Sequence, residues 1–349
     1  MKVLVLFIAM VCAIACTTTE TILDFNLVEG SINKLDSAYV IFQEQAYRFP
    51  LDAQGKGTLK MNIKEDGFAI LVYGKLSTNI YLKQGNTLKV IWDKEDWRGG
   101  KMQVVSDDGG INEYIRLNIE KSFKKATECS FTLEEDSFMD KVEQTIRELS
   151  AGIDSTNFAP EIKDILKASS KYEVLYWIYK YPRFHNFGKR MSQEEYLAFK
   201  RFNEYMFDKF EAHPEYLCLT AYREYAVNWF YELMQLRCFG EPYILKKEKA
   251  CQYILEHVKN AELREYALAE TITPYIKSYG IEGAENIIEC FRTNVKNPMY
   301  VNWFESYYTI WKQISPGSFA CDFRYSDVDG KQVRLSDFKG KYVFIDIWA

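Results

Sequence analysis

Asp327-Val328-Asp329-Gly330-Lys331-Gln332-Val333, Leu335-Ser336-Asp337-Phe338-Lys339-Gly340-Lys341 and Tyr342-Val343-Phe344-Ile345-Asp346-Ile347-Trp348-Ala349 close the chain. The first stretch reads as a β-hairpin turning on the Asp329-Gly330 pair, because Asp-Gly supplies the positive φ angles that a tight hairpin turn needs. A polar loop with Gly340 follows. The last eight residues form a nearly continuous apolar run, the pattern of a strand buried on both faces. Ser315-Pro316-Gly317-Ser318-Phe319-Ala320-Cys321-Asp322-Phe323 leads into the hairpin.

Upstream, the periodicity is helical. Ile111, Ile115, Ile119 and Phe123 lie on one stripe, and Phe138, Val142, Ile146 and Leu149 on another. Thr132 with Glu135, and Ser192 with Glu195, have capping-box spacing. Pro160, Pro214 and Pro298 stand where a first helical turn tolerates proline. The span from Gly110 to about Ile314 is expected to hold about eight helices. Aromatic residues reach 16% of the chain. They crowd this span at Tyr172, Tyr176, Trp177, Tyr179 and Tyr181, then at Tyr196, Phe199, Phe202 and Tyr205. At helical spacing with charged neighbours they read as core with hydroxyls at the rim; a stacking surface for a ligand is the alternative.

Further upstream the period drops to two. Leu59, Met61 and Ile63 alternate with polar residues, as do Leu88, Val90 and Trp92. Gln54-Gly55-Lys56-Gly57 and Gln84-Gly85-Asn86 supply the turns, and Gly55-Lys56-Gly57 lacks the following helix that a phosphate loop requires. Thr21 to Val105 is therefore expected to form a small antiparallel sandwich.

At the N-terminus, Lys2 precedes an apolar run from Val3 to Val11, much shorter than the ~20 residues of a membrane-spanning helix. It fits a secretory signal peptide over residues 1–15. Ala13-Ile14-Ala15-Cys16 resembles a bacterial lipobox, with Ala13 where leucine is usual. The resemblance implies acylation of Cys16, and more than one acyl chain anchors a protein stably. Thr17 after Cys16 is similar to the pattern of outer-membrane lipoproteins. The expected location is the cell envelope, either facing the periplasm or at the outer membrane.

Export implies an oxidising compartment. Of the eight cysteines, Cys12 leaves with the signal and Cys16 carries lipid. Cys129, Cys218, Cys238, Cys251, Cys290 and Cys321 show neither C-x-x-C nor zinc spacing, and read mostly as buried thiols, with a Cys238–Cys251 disulfide as the alternative. His185, His213 and His257 lack partners at metal-ligand spacing. A net charge of -5 without a dense basic block argues against a nucleic-acid partner. No cofactor motif is found, and residues 21–314 offer no catalytic constellation. With 349 residues, 48% hydrophobic and 27% charged, a multidomain globular chain is expected.

The closing segment resembles the opening of a thioredoxin-like domain of the TlpA and peroxiredoxin-like branch. There, P-D-F-x-L-x-D-x-x-G-K-x-V-x-L-S-D-F-K-G-K leads into a strand ending F-W-A. Cys321 stands where that family has proline, and Ile347 where phenylalanine is commoner. The sheet and helices ahead of it look like those preceding such modules in envelope lipoproteins. The resemblance implies a thiol–disulfide oxidoreductase whose C-x-x-C follows W-A at a helix N-terminus, where the nucleophilic thiolate is stabilised. The chain stops at Ala349, so this reading makes it a truncated member with no catalytic residue present and no redox turnover. Protein thiols and disulfides are the partners of a full-length form. The resemblance also offers Asp346 as a buried carboxylate that relays the resolving thiol's proton; as a satisfied polar residue of the strand it needs no such role. The expected fold class is multidomain α+β, divided into the signal (1–15), a lipid-anchored β-sandwich (16–106), an all-α domain (107–314) and a thioredoxin-like fragment (315–349). A non-enzymatic envelope binding protein, using the sandwich and the aromatic helices, is the second reading.

Overall fold

The computed structural model describes residues 20–28, 35–74, 76–93, 102–185, 191–208, 210 and 212–345. The signal segment, Cys16 and Asp346 lie outside these residues. The fold is mixed α+β, and the chain divides into two compact units, Met1–Phe239 and Gly240–Ala349.

The first unit opens with eight strands: β1 (Thr21–Leu27), β2 (Ser37–Phe42), β3 (Gln45–Pro50), β4 (Lys56–Met61), β5 (Gly67–Tyr73), β6 (Leu76–Leu82), β7 (Thr87–Trp92) and β8 (Gln103–Val105). They form two open sheets, ordered β4-β1-β7-β8 and β3-β2-β5-β6. Alternate side chains of both sheets meet in one apolar cluster that includes Phe25, Val40, Phe49, Leu71, Val90 and Trp92. Phe25 of one sheet meets Phe49 of the other edge to face, with ring centroids 6.0 Å apart. The alternation read from the sequence holds: Leu59, Met61, Ile63, Leu88, Val90 and Trp92 are all buried. The expectation of antiparallel pairing throughout is corrected at one ladder. β1 and β7 run parallel, pairing Leu23 with Leu88 and Phe25 with Val90. No hairpin joins these two strands; the chain visits the other sheet between them, and only a crossover of that kind permits a parallel pair.

Six helices follow in the same unit: α1 (Ile111–Thr127), α2 (Glu135–Asp154), α3 (Pro160–His185), α4 (Gln193–Leu197), α5 (Lys200–Asp208) and α6 (Thr220–Arg237). A 3-10 turn at Pro214–Tyr216 precedes the last of these. Where β5 and β6 meet the helices, their outer faces are buried too, including Phe68, Ile70, Asn79 and Tyr81. An edge strand in that position would bury unpaired backbone groups, which is costly. Side-chain amides remove the problem. Asn112 of α1 accepts from the Tyr81 N–H through Oδ1 at 2.8 Å and donates to the Tyr81 carbonyl through Nδ2 at 2.7 Å. In the reverse sense, Asn79 of β6 accepts at Oδ1 from the Thr220 N–H (3.2 Å) and hydroxyl (2.9 Å), capping α6. Its Nδ2 donates to the Cys218 carbonyl at 2.7 Å. Asp108 caps α1, accepting from the Gly110 and Ile111 N–H groups at 2.9 Å each. A third link runs from Arg223 of α6 to Glu44, both side chains largely buried. Glu44 sits with Gln43 in the β2–β3 turn, both at positive φ (54° and 50°), the conformation of a two-residue hairpin loop.

The second unit contains α7 (Tyr243–His257), α8 (Ala261–Tyr279), α9 (Glu285–Asn294) and α10 (Pro298–Gln313), then β9 (Arg324–Ser326) and β10 (Gln332–Arg334). Ten helices thus occur among the described residues where the periodicity suggested about eight. The short α4 and α5 fall in the aromatic-rich stretch where a single apolar stripe is hard to read. Two prolines lie inside helices, Pro182 in α3 and Pro274 in α8. The hairpin read from the C-terminal segment is present: β9 and β10 pair antiparallel, Gly330 has φ +78°, and its N–H donates to the Asp327 carbonyl. The buried strand expected next is not found in residues 342–345, which form no strand, with Tyr342 and Phe344 almost fully exposed. A central strand is buried by neighbours on each side. Here the hairpin ribbon is the sheet described nearby, and it does not pair with this run.

Asn112→Ala leaves the buried Tyr81 N–H and carbonyl without partners, and a destabilisation of about 2–4 kcal/mol is expected in urea unfolding. The exposed Asn286→Ala serves as reference and is expected to shift stability by less than about 0.5 kcal/mol.

Candidate functional site

The helices of the first unit enclose a cleft of about 450 Å³ between α2, α3, α5 and α6. Its floor is apolar, made by Met139, Val142, Leu175 and Ile178, with Ile146 half-buried beside them. Tyr172, Tyr205 and Tyr225 form an aromatic wall, and Lys171, Arg201, Glu143 and Glu204 stand around it with both signs of charge. Val142 and Ile146 of the stripe read from the sequence line one side; of the crowded tyrosines of α3, Tyr172 lines the other.

The wall is held by hydroxyl contacts. Tyr205 and Tyr225 hydroxyls lie 3.2 Å apart, and the Tyr179 hydroxyl donates to the Tyr225 carbonyl at 3.1 Å. Burial pushes the Tyr179 and Tyr205 phenols well above the usual phenol range. They therefore stay protonated at neutral pH and act as donors and apolar surface, not as general bases. Tyr172 packs against Tyr222 and Tyr225 with centroids 4.7 and 4.8 Å away. The arrangement is suited to binding a solute with an apolar or aromatic body and a charged end.

One side of the cleft, α5, is fixed by charges from α2. Glu135 accepts from the N–H groups of Lys200 (3.1 Å) and Phe202 (2.8 Å), placing a carboxylate on the N-terminus of α5. Arg201 then pairs with Asp140 at 2.8 Å and with Glu143 at 3.5 Å. The capping box expected from Thr132 and Glu135 is accordingly not formed. Glu134 is the N-cap of α2 and makes no side-chain cap bond. Glu135 is committed to a helix that begins 65 residues later. Ser192 and Glu195 do form their box, with reciprocal bonds of 2.7 and 3.2 Å. No local spacing announces the Glu135–α5 contact; the signal that could have raised it is a lysine-arginine pair opening α5 opposite an acidic first turn.

A second, smaller cleft of about 80 Å³ lies where β6 meets α1, α3 and α6. It is polar: Asn79, Asn118, Ser122, Ser169, Glu173 and Glu224 are among its lining residues. Asn118 donates to the Ser170 hydroxyl at 2.7 Å in its buried wall. The space suits a few waters bridging these groups.

The remaining residues singled out in the sequence are dispersed. The described cysteines form no disulfide: Cys129, Cys238 and Cys251 are buried, Cys218 and Cys290 partly exposed, Cys321 exposed. Burial pushes the Cys218 thiol up to about 11. The His185 ring contacts the Phe131 carbonyl at 2.8 Å, His213 contacts Glu215 at 2.8 Å, and His257 contacts the Tyr253 carbonyl at 3.0 Å. No group of three His, Cys, Asp or Glu side chains suited to a metal occurs among the described residues. Likewise no described helix is long and apolar enough to cross a membrane. Comparison with protein families, curated proteins and solved structures finds no match for this chain.

Glu135→Ala removes the carboxylate from the start of α5 at a cost of about 1 kcal/mol. Amide exchange at Lys200 and Phe202 is expected to quicken roughly fivefold, with little change in the β1–β7 ladder. Equal acceleration in both places would refute the anchoring role.

Proposed function

We propose that this chain is a cell-envelope lipoprotein of the thiol–disulfide oxidoreductase, thioredoxin-like type. In this reading, lipid on Cys16 holds it at the membrane, and a β-sandwich and a helical domain precede the thioredoxin-like segment. The observation that supports the reading is the antiparallel hairpin of β9 and β10 around Gly330, followed by an exposed apolar run. Such a run is the kind of segment that enters a sheet when neighbouring strands are available. Asp346 would then sit beneath a cysteine pair and relay a proton to or from the resolving thiol. No C-x-x-C occurs in the 349 residues. The attack on a disulfide by a thiolate at a helix N-terminus, and its resolution by the second thiol, accordingly have no donor in this chain.

A second reading, a non-enzymatic envelope binding protein, is favoured by the 450 Å³ cleft with its three tyrosines and mixed charges. The two readings are compatible, the cleft serving as the binding part of a larger activity. Filling it with Ile146→Trp is expected to abolish binding of an aromatic anionic dye such as anilinonaphthalene sulfonate without unfolding the protein.

Two measurements test the first reading. In a Gram-negative bacterial host, Cys16→Ser is expected to move the exported protein from the membrane to the soluble fraction; retention at the membrane would remove the lipid anchor. The purified chain is expected to reduce insulin with dithiothreitol no faster than buffer alone, and a catalytic rate above background would overturn its redox inactivity.

A further inference from the structure

α7 and α9 pack against each other in the second unit. Each presents a cysteine to the other: the side chains of Cys251 on α7 and Cys290 on α9 are hydrogen-bonded. They differ in access. Cys251 is 3% exposed, whereas Cys290 is partly open to solvent. One turn before Cys251, Lys247 shares its face of α7 and interacts with the same thiol. One turn after Cys290, the Asn294 amide donates to the Cys290 carbonyl at 2.8 Å and also supports its sulfur. The other thiols have different surroundings: Cys129 faces the Thr145 hydroxyl at 3.8 Å, and Cys218 donates to the Glu215 carbonyl at 3.4 Å.

We propose that Cys290 and Cys251 form a redox site that closes to an intramolecular disulfide by exchange with a small-molecule disulfide such as oxidised glutathione. The partly open Cys290 attacks first. Its thiolate bonds to one sulfur of the small disulfide and expels the other half as a thiolate, which takes up the Cys290 proton. Cys251 then attacks the Cys290 sulfur and expels the second small thiol, which leaves with the Cys251 proton. Two protein thiols and one disulfide become one protein disulfide and two small thiols; the protein sulfurs lose two electrons and the small disulfide gains them.

The local chemistry orders these steps. The hydrogen bond from Cys251 holds the Cys290 thiol below its usual value, favouring thiolate at the accessible sulfur. That same bond, and then burial, holds the Cys251 proton in place until the mixed disulfide forms. Burial lowers Lys247 to about 8, and its amine interacts with the Cys251 thiol. Two thiols on neighbouring helices, one covered and one partly open, make a resolving pair without C-x-x-C spacing. Cys251 is covered by the helices, so a disulfide arriving from solution meets Cys290 first. The closure is read by a peptide map with a small disulfide, a different readout from insulin reduction. The proposal does not depend on the reading of the C-terminal segment.

The test uses the full chain, reduced, desalted and treated with oxidised glutathione, then acid-quenched, alkylated and digested for mass spectrometry. The expected products are the Cys251 peptide joined to the Cys290 peptide, two fewer titratable thiols, and no lasting glutathione on Cys290. In Cys251→Ala, glutathione is expected to remain on Cys290; in Cys290→Ala, Cys251 is expected to stay free. Circular dichroism melting establishes that each variant is folded, and if either is not, the peptide map of the unaltered chain decides. Recovery of both cysteines alkylated, a stable glutathione adduct on Cys290 of the unaltered chain, or either cysteine joined to a different one would overturn the proposal.

Discussion

The first unit depends on one contact, the Asn112 amide laid along the edge of β6 at Tyr81. A sheet whose edge is covered by helices must find partners for the edge's amides and carbonyls, since water is excluded there. A carboxamide presents one acceptor and one donor side by side, matching the N–H and C=O of a single strand residue. Asn112 therefore replaces the strand that would otherwise lie next to β6. Asn79 does the converse, with its amide turned from the sheet to cap α6. Helix and strand each satisfy the other's unpaired groups, which is why a sheet and a helical layer share a unit here. The Arg223–Glu44 pair adds a charged link at the β2–β3 turn. Removing one partner from a buried pair of this kind costs more than the pair contributes, so it fixes orientation more than it adds stability.

Legibility in the sequence followed the range of the interaction. Strands with alternating Leu59, Met61 and Ile63, and Leu88, Val90 and Trp92, were readable because burial on one face imposes a period of two. The Asp329-Gly330 turn and the Ser192–Glu195 box were readable for a similar reason: all their partners lie within four residues. The parallel pairing of β1 with β7 was not readable, because strand direction is set by the crossover through the second sheet. Glu135 has the same difficulty in sharper form. Its spacing from Thr132 suits a capping box, yet the N-terminus of α5 competes for the same carboxylate and holds it with two N–H groups. The candidate cleft was half-visible: Val142 and Ile146 of the α2 stripe line it, while its closure by α5 rests on that non-local bond.

The C-terminal segment separates local from non-local order in the same way. Its hairpin needs only its own turn chemistry, with Asp327 accepting from the Asp329 and Lys331 N–H groups at 3.0 and 2.9 Å. The apolar run after it needs neighbours, and residues 342–345 remain exposed. A pattern of consecutive apolar residues states what a strand must be buried by, not that the partner is at hand.

The aromatic excess has a physical explanation that joins core and cleft. Tyrosine buries a ring as large as phenylalanine's while its hydroxyl reaches a backbone group at the periphery. Tyr181 donates to the Leu133 carbonyl at 2.7 Å, Tyr179 to that of Tyr225, and the Tyr222 hydroxyl accepts from the His213 N–H at 2.8 Å. Tyr181 and Tyr222 thus tie loops to α3 and α6, and Tyr179 ties α3 to α6. A helical core built this way is less uniformly apolar than one of leucine, and its hydroxyls must terminate at polar partners. Where α5 lies over α2, the ring of Tyr205 meets Tyr225 hydroxyl to hydroxyl. The cleft opens beside that pair, and its wall is shared with the core, since Tyr172 and Tyr225 are themselves buried. Tyr172, Tyr179 and Tyr181, read from the sequence as core, are buried, and Tyr172 also lines the cleft.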